Sequence, residues 1–242
     1  RRMIKQAIIT GHSSGLGEAL AAALLAQGAQ VCGIARRSNA ALAAQYGGQL
    51  QQIALDLSDS AALQQWLESA AFAQFCQGQE LWLFNCAGTQ EPARLLGRQG
   101  AAAIAQAVAL NVSAPLMLAD AAAALAQRLR IVHISSGAAH KSYAGWSVYG
   151  AGKAALDHHA RNIAAEAQPH IQAVSIAPGV IDTAMQAEIR ANTDFPIRQR
   201  FLDLQQDGAL QSAPSTAAAL LTYCESAAFG QEAVGDIRHL VE

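Results

Sequence analysis

The chain has 242 residues and a formal net charge of −2, with 52% hydrophobic and only 14% charged residues, which excludes a disordered chain and suggests one domain. The slightly acidic balance lacks the clustered basic face of a nucleic-acid binder. No apolar run in the sequence approaches the ~18–20 residues that cross a bilayer, so neither a nucleic acid nor a membrane is an expected partner.

Met3 reads as the initiator, with Arg1 and Arg2 added ahead of it, so the domain is expected over residues 3–242. Short apolar runs then alternate with segments of helical period. Ala7–Thr10 predicts a strand, Gly15–Gln27 a helix closed by Gly28, and Gln30–Ala35 a second strand. A short helix over Ser38–Tyr46 and a strand over Gln51–Leu55 follow. Ser58–Phe75 predicts one helix with Ser58 as its N-cap. Leu81–Phe84 is the fourth strand. Ala101–Arg128 predicts one long helix bent near Pro115. Ile131–Ser135 is the fifth strand, Ser147–Gln168 a helix stopped by Pro169, and Ile171–Ala177 the sixth strand. Such alternation implies βαβ units, and runs such as LWLF without polar alternation imply strands buried on both faces. The expected fold is a single-domain, doubly wound (Rossmann) parallel α/β sheet with helices on both faces. The more polar stretch 181–210 interrupts the alternation and is expected to form a substrate lid.

Between the first strand and first helix lies Thr10-Gly11-His12-Ser13-Ser14-Gly15-Leu16-Gly17. Gly11 permits a sharp turn, Gly15 lets the backbone approach a pyrophosphate, and Gly17 allows close helix–strand packing. The helix N-terminus then offers free N–H groups to the anion. Strand two ends in Ala35-Arg36-Arg37, where an NAD-preferring site carries an acidic residue. A guanidinium pairs bidentately with a 2′-phosphate, so the expected cofactor is NADP(H). Asp56, closing strand three, is a candidate for the adenine amino group or for capping the next helix.

Tyr149 and Lys153 lie four residues apart at the start of the helix after strand five, and so share one face. A neighbouring ammonium favours phenolate, so the sequence predicts a lowered Tyr149 pKa and a usable general acid or base. Ser135 and Ser136 end strand five, where a hydroxyl can hold a carbonyl oxygen. Asn111 sits inside the long helix, where asparagine is a poor helix former and often binds backbone or water. Four cysteines at 32, 76, 86 and 224 form no CxxC pair and read as reduced thiols of a cytoplasmic protein. Asp157-His158-His159 reads as exposed or interfacial. No His/Cys/Asp cluster has metal spacing, and no metal is expected.

Together these residues resemble the short-chain dehydrogenase/reductase family. TGHSSGLG matches its TGxxxGxG turn, NCAG at Asn85–Gly88 its NNAG motif, YGAGK its YxxxK pair, and PGVIDT at Pro178–Thr183 its PG-x-x-x-T segment. The likeness covers nearly the whole chain. It implies Tyr149 as acid/base and Lys153 as its pKa-lowering, ribose-binding partner. It implies Ser136 rather than Ser135 as the catalytic serine, because the family serine usually lies thirteen residues before the tyrosine. Asn111 would hold a water that feeds a proton relay. Gly11, Ser14, Gly15, Leu16, Gly17, Asn85, Ala87, Gly88, Pro178, Gly179, Val180 and Thr183 would surround the cofactor. Cys86 replaces a usual asparagine, so the turn there is expected to be held differently.

A narrower likeness points to the sepiapterin-reductase-like branch that includes benzil reductases. It is carried by Gly145-Trp146, PGVIDTAMQAEIR, Asp194-Phe195, Arg200-Phe201 and the Arg36-Arg37 pair. That branch implies NADPH-dependent reduction of a ketone or vicinal diketone, with Tyr143, Trp146, Met185, Phe195 and Phe201 around an aromatic substrate. Alternatives are a reductase for a 3-oxoacyl thioester, steroid or sugar alcohol, or a non-catalytic dinucleotide sensor. In this family the long alanine-rich helix and the Tyr-bearing helix often pair between subunits, which implies a homodimer or homotetramer.

Overall fold

Seven parallel strands form one sheet in the order β3-β2-β1-β4-β5-β6-β7 in the computed structural model, which describes residues 3–240. They are β1 (Gln6–Thr10), β2 (Gln30–Ala35), β3 (Leu50–Ala54), β4 (Leu81–Asn85), β5 (Leu129–Ile134), β6 (Ile171–Ala177) and β7 (Val234–Asp236). Every residue of β4 is buried, as a strand covered on both faces requires. One face carries α1 (Gly15–Ala26) and α10 (Ala213–Cys224), whose Leu20, Leu24, Leu220 and Leu221 share a core with Ile9, Phe84 and Val174. The other carries α3 (Ser60–Leu67), α4 (Ala70–Cys76), α6 (Ala114–Ala123) and α7 (Ser147–Glu166), with Leu63, Phe72, Leu118 and Ala160 packed on Ile8, Leu83 and Ile131. Each such Leu or Phe contributes about 1.5–3 kcal/mol by leaving water.

Local capping decides where several helices break. The segment expected as one helix from Ser58 is two. Asp59 caps α3 by accepting from the Ala62 N–H (3.0 Å), and Ser69 caps α4 by accepting from the Phe72 N–H (3.2 Å). Ser58 instead donates its hydroxyl to Asp56 (2.7 Å). Asn39 caps α2 (Ala40–Tyr46) through the Leu42 N–H (3.0 Å), so that helix starts after Ser38. The long helix is α5 (Ala101–Val108), a π turn over Ala109–Ser113, and then α6. The distortion is this π turn around buried Asn111, and Pro115, which has no N–H to donate to the turn before it, follows directly at the start of α6. The helical run Ala101–Ala123 has a mean hydropathy of 1.6 over its most apolar window and is long and apolar enough to cross a bilayer, which corrects the expectation that no such run exists. Its Ala114, Leu118, Ala119 and Ala122 lie in the core beneath the sheet. The strand β7 escapes a sequence reading because it has three residues, one of them Gly235.

The stretch 181–210 folds into α8 (Ala184–Ala191) and α9 (Arg198–Gln206). Strand order reverses between β1 and β4, opening a crevice beyond their C-terminal ends.

Candidate active site

At the switch point, β1 runs into the glycine-rich turn and α1 begins at Gly15. A Cβ at Gly17 would overlap the Gly11 carbonyl oxygen, so this close approach of helix to turn admits only glycine. Ser14 is extended and makes no side-chain cap, which leaves the first N–H groups of α1 open to the crevice. The Thr10 hydroxyl accepts from the N–H groups of Cys86 (2.9 Å) and Ala87 (3.0 Å), tying the turn after β4 to the turn after β1. That bond holds the segment where Cys86 stands in place of asparagine; burial pushes the Cys86 thiol up to about 12, so it is neutral. Arg36 and Arg37 are exposed at the end of β2 and line the same cleft, as does Asp56. The Ser58 hydroxyl and N–H hold the Asp56 carboxyl below its ordinary range, with a smaller contribution from the Arg36 charge. A cradle that side chains would fill, open helix N–H groups and two guanidinia fit a phosphorylated dinucleotide.

The cleft has a volume of about 700 Å³ and continues to the reacting residues. Ser136 is extended just past β5, and its Oγ accepts from the Ala138 N–H (3.1 Å). Tyr149, on the first turn of α7, faces the Ser136 side chain across the cleft. Lys153 donates from Nζ to the Ile134 carbonyl (2.6 Å) and lies 5.7 Å from the centre of the Tyr149 ring. Burial pulls the Lys153 pKa down to about 8, partly offset by the Asp157 carboxylate. Burial raises the Tyr149 pKa, and the Ser136 hydroxyl only partly offsets it. This corrects the expected lowering: desolvation of a phenolate outweighs the ammonium, which is turned to the Ile134 carbonyl.

Two expected contacts fall elsewhere. Asn85 does not line the cleft. It is buried at the end of β4, and its Nδ2 meets His133 Nδ1 on β5 (3.1 Å). Asn111 also lies behind the cleft wall. Its Oδ1 accepts from the Thr89 N–H (2.8 Å) and its Nδ2 donates to the Thr89 carbonyl (2.7 Å), so the side chain positions the loop after β4. Both ends of the amide are engaged, so the Asn111 side chain fixes the loop after β4 against the helix. Gly88 separates it from Lys153: a Cβ there would sit 3.2 Å from Asn111 Oδ1 and 3.7 Å from Lys153 Nζ. The remaining expected cofactor residues, from Gly11 and Ser14 through Ala87 and Gly88 to Pro178, Gly179, Val180 and Thr183, all line the cleft.

On the substrate side, Trp146 is the hub of an aromatic cluster. Its ring centre lies 4.9 Å from Tyr149, 5.6 Å from Tyr143, 5.1 Å from Phe195 and 5.3 Å from Phe201. Its Nε1 donates to Gln90 Oε1 (3.2 Å). Tyr143, Trp146, Met185 and Phe201 line the cleft; Phe195 is buried behind them and packs the connection between α8 and α9 against Trp146. The sequence reading assigned no role to Thr10, although it opens the TGxxxGxG motif, and missed Thr89 and Gln90, which no motif marks. Of Asp157-His158-His159, expected to be exposed or interfacial, Asp157 lies in the core instead. Only His158 is exposed; Asp157 is 1% exposed, and His159 Nδ1 meets buried His133 Nε2 (3.0 Å). Burial, with the charges of His159 and Lys153, pushes His133 down to about 3.

A family model described as short chain dehydrogenase matches residues 5–194. The chain is 33% identical over 241 residues to a benzil reductase, (S)-benzoin forming, of Bacillus cereus, covering 94% of this chain and 97% of that one. It is 33% identical over 242 residues to the sepiapterin reductase of Meriones unguiculatus, covering 92% of each. A short-chain dehydrogenase from Burkholderia cenocepacia, solved in complex with NADP, superposes with a TM-score of 0.76 at 26% identity, covering 97% of this chain and 96% of that one. Glycine-rich turn, Ser136-Tyr149-Lys153 cluster and sheet order thus agree with the sequence relationships, and the chain is a short-chain dehydrogenase/reductase on the branch of the benzil and sepiapterin reductases.

Proposed function

We propose that the chain is an NADPH-dependent carbonyl reductase acting on a ketone or vicinal diketone with an aromatic substituent. The observation that carries this reading is one continuous cleft holding Arg36 and Arg37 at one end and Ser136, Tyr149, Lys153 and the Trp146 cluster at the other. NADP(H), when bound, supplies or accepts the hydride. The glycine-rich turn and α1 N-terminus would hold its pyrophosphate, Arg36 and Arg37 its 2′-phosphate, and Lys153 the nicotinamide-side ribose. Ser136 orients the carbonyl oxygen toward the Tyr149 hydroxyl. Tyr149 is protonated at neutral pH because burial raises its pKa, so it can give that oxygen a proton. Lys153, an ammonium below about pH 8, stabilises the phenolate left behind and returns a proton to it. The aromatic wall around Trp146 supports an aryl ketone over a thioester or a sugar.

The test follows NADPH absorbance as purified protein meets benzil, with Tyr149→Phe as control and NADH in parallel. Oxidation of NADPH that is weaker with NADH and falls by about 10²–10⁴-fold in the variant is expected. NADPH binding without reduction of any carbonyl in a panel would overturn the reductase reading and favour a dinucleotide sensor. A homodimer or homotetramer is proposed as well, joined through the exposed side of α5 and α6, where Val108 is exposed. Light scattering that finds only monomer would refute it.

A further inference from the structure

Asp157 is a buried carboxylate that the reaction scheme above does not use. It lies one helical turn after Lys153 on α7 and is 1% exposed. Its Oδ1 accepts from the Ser175 hydroxyl on β6 (2.6 Å), and its Oδ2 meets His140 Nε2 (2.9 Å). His140 directly follows the short Gly137–Ala139 turn that Ser136 caps, and its N–H and that of Lys141 both donate back to the Gly137 carbonyl (3.2 and 2.9 Å). β6 leads into Pro178-Gly179 on the cleft wall. One carboxylate therefore joins the segment behind Ser136, the helix of Tyr149 and Lys153, and the strand feeding the nicotinamide-side loop. A buried carboxylate is expensive unless its oxygens are satisfied; here Ser175 satisfies Oδ1, and Oδ2 has the His140 ion-pair contact in place of a hydrogen bond.

We propose that Asp157 is a positioning residue for the reaction, clamping the Ser136 segment onto α7 through His140 and setting a carboxylate one helical turn from Lys153. The proposal rests on the reductase reading. The groups facing Lys153 are Asp157 on its own helix, Cys86 after β4, His133 on β5 and the Tyr149 ring. Cys86 is a neutral thiol, so Asp157 is the anion that opposes burial there. Carbonyl reduction needs Lys153 protonated and fails as pH rises through its pKa. Removing the Asp157 charge lowers that pKa, so the alkaline limb of kcat moves to lower pH.

The test measures kcat and KM for benzil across pH in wild type, Asp157→Asn, His140→Ala and His140→Gln. Asp157→Asn is expected to bring the alkaline limb down by about one pH unit, an approximately fivefold loss of kcat near pH 8 with little change in KM. His140→Ala is expected to lower kcat about three- to tenfold without moving the limb, and His140→Gln, which keeps a donor, to restore it. An unmoved limb in Asp157→Asn, or wild-type kcat in His140→Ala, overturns the proposal. If Asp157→Asn does not fold, the two His140 variants decide, since His140 is half exposed. The Lys153 limb is also read, without turnover, in the pH dependence of the NADPH dissociation constant. A limb that moves there in an enzyme reducing no carbonyl supports the Lys153 effect while refuting the reductase reading.

Discussion

Replacing Lys153 by methionine should remove activity while leaving the protein no less stable at neutral pH. A fall in pKa from 10.5 to about 8, on a residue 6% exposed, corresponds to about 3 kcal/mol spent holding a buried ammonium at pH 7. Methionine matches the aliphatic stem and removes that term. It also strips the Ile134 carbonyl of its 2.6 Å donor, which costs about 1–3 kcal/mol. The variant is thus expected to be up to about 2 kcal/mol more stable than wild type near pH 7. A cationic group whose folded pKa is depressed binds fewer protons folded than unfolded, so the wild type regains stability as pH climbs from about 8 toward 10.5. By pH ~9.5 that recovery is about 2 kcal/mol, or roughly 4–8 °C in Tm for a chain of this size, and the variant lacks it. Paired thermal melts without nucleotide at about pH 7 and about pH 9.5 measure the difference, in which groups common to both proteins cancel. A wild-type-minus-variant difference that stays constant with pH refutes the argument.

Arg36→Gln with Arg37→Gln should weaken NADPH binding about 10- to 100-fold and leave NADH unchanged, read by titration of each nucleotide; equal losses for both would assign the arginines to general electrostatics. Gly17→Ala should abolish binding of either nucleotide, because its methyl overlaps the Gly11 carbonyl oxygen, and calorimetry detecting wild-type affinity would contradict that. Phe195→Ala should cost about 3–5 kcal/mol in a urea melt, since Phe195 is 2% exposed against Trp146, and a loss below about 1 kcal/mol would show the connection between α8 and α9 folding independently of it.

The strand–helix alternation, the glycine-rich turn and the Tyr149–Lys153 spacing were legible because each rests on local geometry. A helix places residues four apart on one face whatever surrounds it, and a turn with a close carbonyl demands glycine wherever it occurs. The choice of Ser136 over Ser135 followed only through the family likeness, and the order of the strands was not read from the sequence at all. Three features needed the tertiary structure. Asn85 and Asn111 carry the expected side chains, but which partner each amide meets depends on β5 and on Thr89, distant in the chain or across a loop. The Tyr149 pKa moves up rather than down because desolvation is summed over every neighbour that excludes water, while the sequence reveals only the nearby lysine. Asp157 reads from the sequence as exposed or interfacial, and is buried only because β6 and the Ser136 segment close over it. Local residue types determined the elements and the reacting groups; burial, which no single residue carries, decided their charge states and their partners.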